Sequence, residues 1–261
     1  MLEVSLFGGF QVNLNGKAFN GFPSNQTRAL FAFLCLEHDQ IHLRETIATM
    51  LRPNHVEPEA RKHLRTTIYR LRKALEQALP EQGERMLVVK RQTIELRIDP
   101  NAVTVDVWAF EAAVRLPKSH SLLELEATTQ LYQGELLRGF HLNDAKPFEQ
   151  WLQQQRERLQ RQSMQLLTTL AEQAAAESAW DVVRRASQRQ LALESWYEPA
   201  FQREMVALAK QGDRSSALAL YDRCCDVLAD ELGVPPSPET CLLYTSPSPR
   251  DLSTSRMPSS A

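Results

Sequence analysis

This sequence of 261 residues has little cysteine and no long apolar run. Its four cysteines, at positions 35, 224, 225 and 241, include no Cys-x-x-Cys pair. Such spacing is typical of reduced thiols rather than of a disulfide framework or a zinc site. No apolar stretch approaches the length that spans a bilayer, and the N-terminus lacks the pattern of a signal peptide. We therefore expect a soluble, cytoplasmic protein with no membrane partner.

The common catalytic and nucleotide-binding motifs are also missing. The sequence contains no Gly-x-x-x-x-Gly-Lys-Ser/Thr loop and no Gly-x-Ser-x-Gly turn. Among its six histidines, His38 and His42 form the one short spacing, and such a pair is more typical of a surface than of a metal site. We therefore expect no enzyme, no cofactor and no bound metal.

The sequence also lacks a large excess of either positive or negative charge, because its net charge at pH 7 is only −2. No overall field attracts the chain to nucleic acid, so a nucleic-acid site must be a local patch. One segment qualifies. Residues 61–91 contain nine Lys or Arg residues against three Glu residues, a surplus of six positive charges.

Most of this surplus lies in one predicted amphipathic helix, residues 58–78. Pro58 suits its first turn. Apolar residues recur at helical spacing along one side, at Ala60, Leu64, Ile68, Leu71 and Leu75. The other side and its margins carry basic, hydroxyl and aromatic residues, namely Lys62, Arg65, Thr66, Tyr69, Arg70, Arg72 and Lys73. A helix that reads a DNA major groove needs this arrangement, although a solvated surface helix has it too.

The elements around this helix favour the DNA-binding interpretation. Strands are predicted at residues 2–7 and 10–14, with an Asn15-Gly16 hairpin turn. Helices are predicted at 24–37 and 43–51, and after the basic helix a hairpin at 86–90 and 93–98. Helices followed by a hairpin predict a winged helix-turn-helix domain over residues 1–100. Lys90 and Arg91 at the hairpin tip could contact a DNA backbone, or could be ordinary solvated turn residues.

After residue 105 the pattern is helical throughout. Helices are predicted at residues 106–114, 121–132, 148–177, 180–194, 198–210 and 215–232. The last four are weakly similar to one another at a period of about 34 residues, which is typical of tetratricopeptide-type helical hairpins. Residues 105–240 are therefore predicted to be an all-α, tetratricopeptide-like domain in an α+β chain. Such repeats present a concave surface to partners, so a protein-interaction scaffold without DNA binding is the alternative function.

Six segments together resemble the AfsR-like, or SARP-type, bacterial transcriptional regulators. Those proteins join an OmpR-type winged helix to a bacterial transcriptional activator domain. The matching segments are residues 6–15 (LFGGFQVNLN), 28–36 (RALFAFLCL), 60–75 (ARKHLRTTIYRLRKAL), 131–140 (LYQGELLRGF), 147–158 (PFEQWLQQQRER) and 231–240 (ELGVPPSPET). The resemblance implies an activator that binds double-stranded promoter DNA, commonly at direct repeats, and recruits RNA polymerase. Whether a second protomer also binds is left open.

The resemblance also implies roles for individual side chains. DNA contacts fall on Lys62, Thr66, Tyr69, Arg70 and Arg72 of the basic helix and on Lys90 of the hairpin. Thr66 and Arg70 would read bases, whereas Lys62 and Arg72 would bind phosphates. The family's Leu-Trp-Pro pattern before the helix is Leu51-Arg52-Pro53 in this chain, which weakens the match in that loop.

The last residues depart from the family pattern. Residues 241–261 (CLLYTSPSPRDLSTSRMPSSA) are similar to the translation of a sequencing-library adapter. We therefore expect a non-native segment, and a natural chain that continued past residue 240. Its Ser- and Pro-rich composition predicts disorder.

Overall fold

A four-stranded sheet begins the chain in the computed structural model, which describes residues 1–38, 40–115 and 120–245. Its strands are β1 (Leu2–Ser5), β2 (Gln11–Leu14), β3 (Lys17–Ala18) and β7 (Val103–Val105), in the order β3-β2-β1-β7. Asn15 and Gly16 join β2 to β3 with φ angles of 51° and 76°. These left-handed values suit an Asn-Gly turn, so the predicted hairpin turn is confirmed.

Strand β7 was not predicted, and it fixes the place of the segment after residue 100. β7 pairs in parallel with β1, with Leu2 opposite Val103. Asp106 follows β7 directly and accepts hydrogen bonds from the backbone N–H groups of Leu6 and Phe7. The start of the C-terminal half is therefore bound to the N-terminal strand.

Three helices and a small sheet follow the first hairpin. Their bounds are α1 (Asn25–Leu36), β4 (His42–Leu43), α2 (Arg44–Leu51), α3 (Glu57–Ala78), α4 (Gly83–Met86), β5 (Leu87–Val89) and β6 (Thr93–Leu96). The second sheet has the order β4-β6-β5. The three predicted helices and the hairpin are confirmed to within one or two residues. β4 and the single-turn α4 were not predicted.

Local chemistry explains where α1 and α3 begin. The Ser24 hydroxyl accepts a hydrogen bond from the Thr27 N–H and caps α1. Pro58 occupies the first turn of α3, where its missing N–H leaves no helical bond unmade. Nine of the twelve residues of α1 are buried, so α1 forms the centre of this region's core. α2 and α3 pack against it and against each other.

After β7, the described residues are mostly helical. Its helices are α5 (Asp106–Arg115), α6 (Leu122–Leu131), α7 (Lys146–Ala176), α8 (Trp180–Leu193), α9 (Glu198–Lys210), α10 (Arg214–Leu232) and α11 (Pro238–Thr245). All six predicted helices are confirmed. Disorder was predicted from residue 241, and this is wrong for residues 241–245, which continue α11. Residues 246–261 lie outside the described part of the chain.

The contacts divide the chain into two compact units, residues 1–163 and the residues from 164 on. In the second unit α9 packs against both α8 and α10. Apolar side chains from these three helices form one cluster of its core, namely Leu191, Ala200, Phe201, Met205, Cys224 and Leu228. The helical chain with a small N-terminal sheet confirms the coarse fold prediction. The domain limits 1–100, 105–240 and 241–261 stay predictions.

Candidate nucleic-acid interface

Helix α3 has the two-sided character that its sequence predicts. The five apolar residues of the predicted stripe are all buried, at most 6% exposed: Ala60, Leu64, Ile68, Leu71 and Leu75. Burying such side chains stabilises the helix against the core by about 1.5–3 kcal/mol for each large one. The opposite side of α3 is consequently held facing outward.

The predicted contact residues of α3 lie on this outward side, with one exception. Those that are exposed to solvent are Lys62, Arg65, Thr66, Tyr69, Arg70 and Lys73. The ring of Tyr69 is notable, because an aromatic residue that is 62% exposed leaves apolar area free for a partner. Arg72 is the exception. It is half-buried, and its Nε atom has no hydrogen-bond partner among the described residues.

The exposed cations differ in how far they are already neutralised. No ion pair joins the side chains of Lys62, Arg65 or Arg70 to any residue in the part of the chain that the structure describes. Lys73 Nζ, in contrast, lies 2.8 Å from Glu76 Oε2 one turn later. This hydrogen bond raises the pKa of Lys73. Lys62, Arg65 and Arg70 are therefore the charges of α3 most available to a phosphate.

The tip of the β5–β6 hairpin adds two more exposed cations, Lys90 and Arg91. Its position is fixed from two sides. The Lys90 N–H donates to the Thr93 carbonyl at 2.9 Å and closes the turn. Arg44, the first residue of α2, donates from its backbone N–H to the Gln92 carbonyl at 2.9 Å. Its Nη1 atom also lies 3.2 Å and 3.4 Å from the carbonyl oxygens of Lys90 and Arg91.

An ion pair between Arg97 and Glu95 lies at the other end of the same hairpin. Arg97 donates from Nε and Nη2 to the two carboxylate oxygens of Glu95, at 2.9 Å and 3.0 Å. The hydrogen bond from Arg97 lowers the pKa of Glu95. Arg97 is thereby neutralised by Glu95, whereas Lys90 and Arg91 have no ion pair with any residue that the structure describes.

An open cleft of about 480 Å³ is lined by residues of the hairpin tip, α2 and α3. Its lining is rich in arginine and consists of Leu43, Arg44, Glu45, Arg61, Leu64, Arg65, Arg91 and Gln92. Four guanidinium groups against one carboxylate make the cleft suited to phosphate oxygens, which guanidinium binds in a bidentate manner. Of the predicted contact residues, Arg65 of α3 and Arg91 of the hairpin belong to this lining, whereas Lys62, Thr66, Tyr69, Arg70, Arg72, Lys73 and Lys90 do not.

Sequence reasoning did not predict several members of this lining as contact residues, among them Arg61, Glu45 and the hydrogen-bonded pair Arg44 and Gln92. Arg44 and Gln92 both reach the cleft because β4, which immediately precedes Arg44, pairs with β6 of the hairpin, His42 opposite Ile94. A strand of two residues has no periodicity to detect. The one local signal was a basic residue at the start of a predicted helix, which by itself indicates nothing.

Among the described residues, no group of three or more His, Cys, Asp or Glu side chains could hold a metal ion. No helix within the described ranges is long and apolar enough to cross a membrane.

Comparison with known proteins identifies the C-terminal half. Residues 105–246 match the family model described as bacterial transcriptional activator domain. The chain belongs to this family. Its similarity to individual proteins extends further, over 93% of the chain.

Two curated relatives and one solved structure share most of this length. The transcriptional regulatory protein MoaR1 of Mycobacterium tuberculosis (strain ATCC 25618 / H37Rv) is 26% identical over 253 residues, which cover 93% of this chain and 78% of MoaR1. MoaR1 of Mycobacterium bovis (strain BCG / Pasteur 1173P2) gives the same figures. Mycobacterium tuberculosis EmbR, solved in complex with a low-affinity phosphopeptide, superposes with a TM-score of 0.70 at 22% identity. The superposition covers 93% of the present chain and 64% of the EmbR chain. This likeness shows that the two proteins share a fold.

Proposed function

We propose that this chain is a sequence-specific DNA-binding transcriptional regulator that activates transcription by recruiting RNA polymerase. Residues 1–100 would be its winged helix-turn-helix domain and residues 105–240 its tetratricopeptide-like activator domain. The observation that supports this most strongly is the exposed face of α3, where Lys62, Arg65 and Arg70 have no acidic partner among the described residues. Membership of an activator-domain family agrees with it.

Each exposed side chain has a distinct expected role on DNA. Thr66 and Arg70 would contact base edges in the major groove, with Tyr69 beside them offering apolar contact. Lys62, Arg65 and Lys73 would bind backbone phosphates, Lys73 after it exchanges Glu76 for a phosphate. Lys90 and Arg91 would contact the backbone next to the inserted helix. Half-buried Arg72 would position α3 and reach a phosphate only with part of its guanidinium.

Binding across a salt series tests this function. Affinity of the full chain for a selected promoter fragment should fall steeply as salt rises from about 50 to 200 mM, because phosphate contacts release counterions. Arg70→Ala should weaken binding to the preferred DNA sequence by about 1–3 kcal/mol and relax the sequence preference. Lys62→Ala should instead weaken binding to all sequences alike. Exposed Lys210 provides a matched control, since Lys210→Ala also removes one positive charge, but from α9 rather than from α3.

Two results would reject the DNA-binding function. One is affinity that does not depend on salt. The other is affinity that the combined Lys62→Ala and Arg70→Ala changes leave unaltered. A chain that retards no DNA, yet binds a protein partner through residues 198–232, would be the interaction scaffold instead. A second protomer or RNA polymerase would be the partner to look for.

A further inference from the structure

One cation of the arginine-lined cleft is already paired twice. Arg61 Nη2 lies 3.3 Å from Glu45 Oε2, which belongs to the first turn of α2. The same nitrogen contacts Glu57 Oε1, one turn earlier on α3. Arg65 and Arg91 line the same cleft and have no ion pair with any described residue. Arg61 is therefore distinguished from its neighbours by two carboxylates that face it from different helices.

These ion pairs are open to solvent and hence exchangeable. The side chains of Arg61, Glu45 and Glu57 are 55%, 64% and 58% exposed. Exposed pairs are weak, and salt screens them. A phosphate that entered the cleft beside Arg65 would compete with the two carboxylates for the same guanidinium. It would also meet the negative charge of those carboxylates.

We propose that Glu45 and Glu57 limit the affinity of this chain for DNA by holding Arg61 in an internal ion pair. They would be positioning residues that withhold one cation from the phosphate-binding set. This inference rests on the proposed DNA-binding function. It adds that α2 and the start of α3 weaken binding to every sequence, which leaves discrimination to the base-reading residues of α3.

Replacing each carboxylate by its neutral amide tests the proposal. Fluorescence anisotropy would measure binding of the full chain to a mixed-sequence DNA duplex at several salt concentrations. Glu45→Gln, and Glu57→Gln in the same way, should bind about two- to fivefold more tightly at low salt, the range that one exposed ion pair allows. The plot of log affinity against log salt should steepen by up to about 0.9, because Arg61 then neutralises one more phosphate.

Direct repulsion between a carboxylate and DNA could also produce tighter binding, and a double-mutant cycle separates the two causes. In an Arg61→Gln background, Glu45→Gln should change affinity much less than it does in the unaltered chain. Glu59 is the matched control, since it lies in the same first turn as Glu57 but contacts His55 Nδ1 at 3.4 Å rather than Arg61. Glu59→Gln should give a smaller gain, and one that Arg61→Gln does not alter.

The outcomes separate this inference from the function beneath it. Two results would overturn the competition for Arg61 while leaving salt-dependent DNA binding intact. One is that Glu45→Gln raises DNA affinity equally with and without Arg61. The other is that neither Glu45→Gln nor Glu57→Gln raises DNA affinity. An unaltered chain that binds no DNA at any salt concentration would overturn both. Thermal unfolding of each variant, expected to be close to that of the unaltered chain, confirms that the comparisons concern folded protein.

Discussion

Replacing Asp106 by alanine should strongly destabilise the unit formed by residues 1–163. Asp106 accepts hydrogen bonds from three backbone N–H groups. The Leu6 N–H lies 3.0 Å and 2.9 Å from its two oxygens, the Phe7 N–H 3.0 Å from Oδ2, and the Val107 N–H 2.8 Å from Oδ1. Leu6, Phe7 and Val107 are buried. Alanine would leave all three N–H groups without this acceptor.

The expected magnitude follows from the number of unpaired donors. Each buried N–H without an acceptor costs about 1–3 kcal/mol, and water can replace part of this because Asp106 itself is only half-buried. Asp106→Ala should therefore lower the free energy of unfolding of this unit by about 3–5 kcal/mol. That is a large share of the roughly 5–15 kcal/mol that holds a domain together.

Hydrogen exchange measured by mass spectrometry is the suitable assay, because it reports each segment separately in a chain of two units. Peptides that contain Leu6 and Phe7 should lose protection in the Asp106→Ala variant, and denaturant unfolding should shift to lower concentration. Asp99 provides the control, since its carboxylate is exposed and, among the described residues, bonds only to nearby Asn101. If Asp106→Ala behaves like Asp99→Ala, the carboxylate does not bind β1 to α5 as described.

Two further predictions concern the hairpin and the last helix. Arg44→Met removes the guanidinium that bonds the carbonyls of Lys90 and Arg91. It should weaken DNA binding about threefold to tenfold and speed hydrogen exchange at the Lys90 N–H, while exchange that stays unchanged would contradict a role in fixing the tip. At Glu198, burial opposes ionisation, but hydrogen bonds from Thr240 and Ser237 outweigh it and lower the pKa. The stabilisation from this network should be present at neutral pH and lost as pH falls through the pKa of Glu198. Thermal unfolding temperatures of the unaltered chain and Glu198→Gln should therefore converge on acidification, and a constant difference would contradict the lowered pKa.

The helices were predictable because their signals are local. Apolar spacing along α3 and the cap at Ser24 act within a few residues of one another, and the structure buries and bonds them accordingly. The repeat of about 34 residues in the C-terminal helices stays a prediction, and the burial of aligned residues agrees with it. Leu167 aligns with Phe201 and Ala171 with Met205 at the repeat period, and all four are buried.

The strands that were missed depend on distant partners. β7 pairs with β1, about 100 residues earlier in the chain, and β4 has two residues that pair with β6. Neither has enough residues to show an alternating pattern. The Arg44 contact with the hairpin tip follows from the β4 pairing, so it was hidden for the same reason.

The solvent exposure and ion pairing of each cation on α3 were only partly predictable. Position on a helical wheel separates exposed Arg70 from buried Leu71. Arg72, at the margin of the apolar stripe, is half-buried, and the wheel could not decide its exposure. The Lys73–Glu76 pair was within reach of sequence reasoning, since residues three apart are neighbours on a helix. The Arg61–Glu45 pair joins two helices and required their packing.

Photo-cross-linking at position 69 tests most directly whether the exposed face of α3 enters a DNA groove. Tyr69 would be replaced by a photoreactive phenylalanine derivative, and the full chain would be irradiated with promoter DNA. A second variant would carry the same group at Leu123 of α6, whose side chain is 77% exposed. We expect cross-linked DNA from position 69 and none from position 123. DNA that binds with steep salt dependence yet cross-links at neither position, or only at position 123, would place the duplex on another surface and contradict the account.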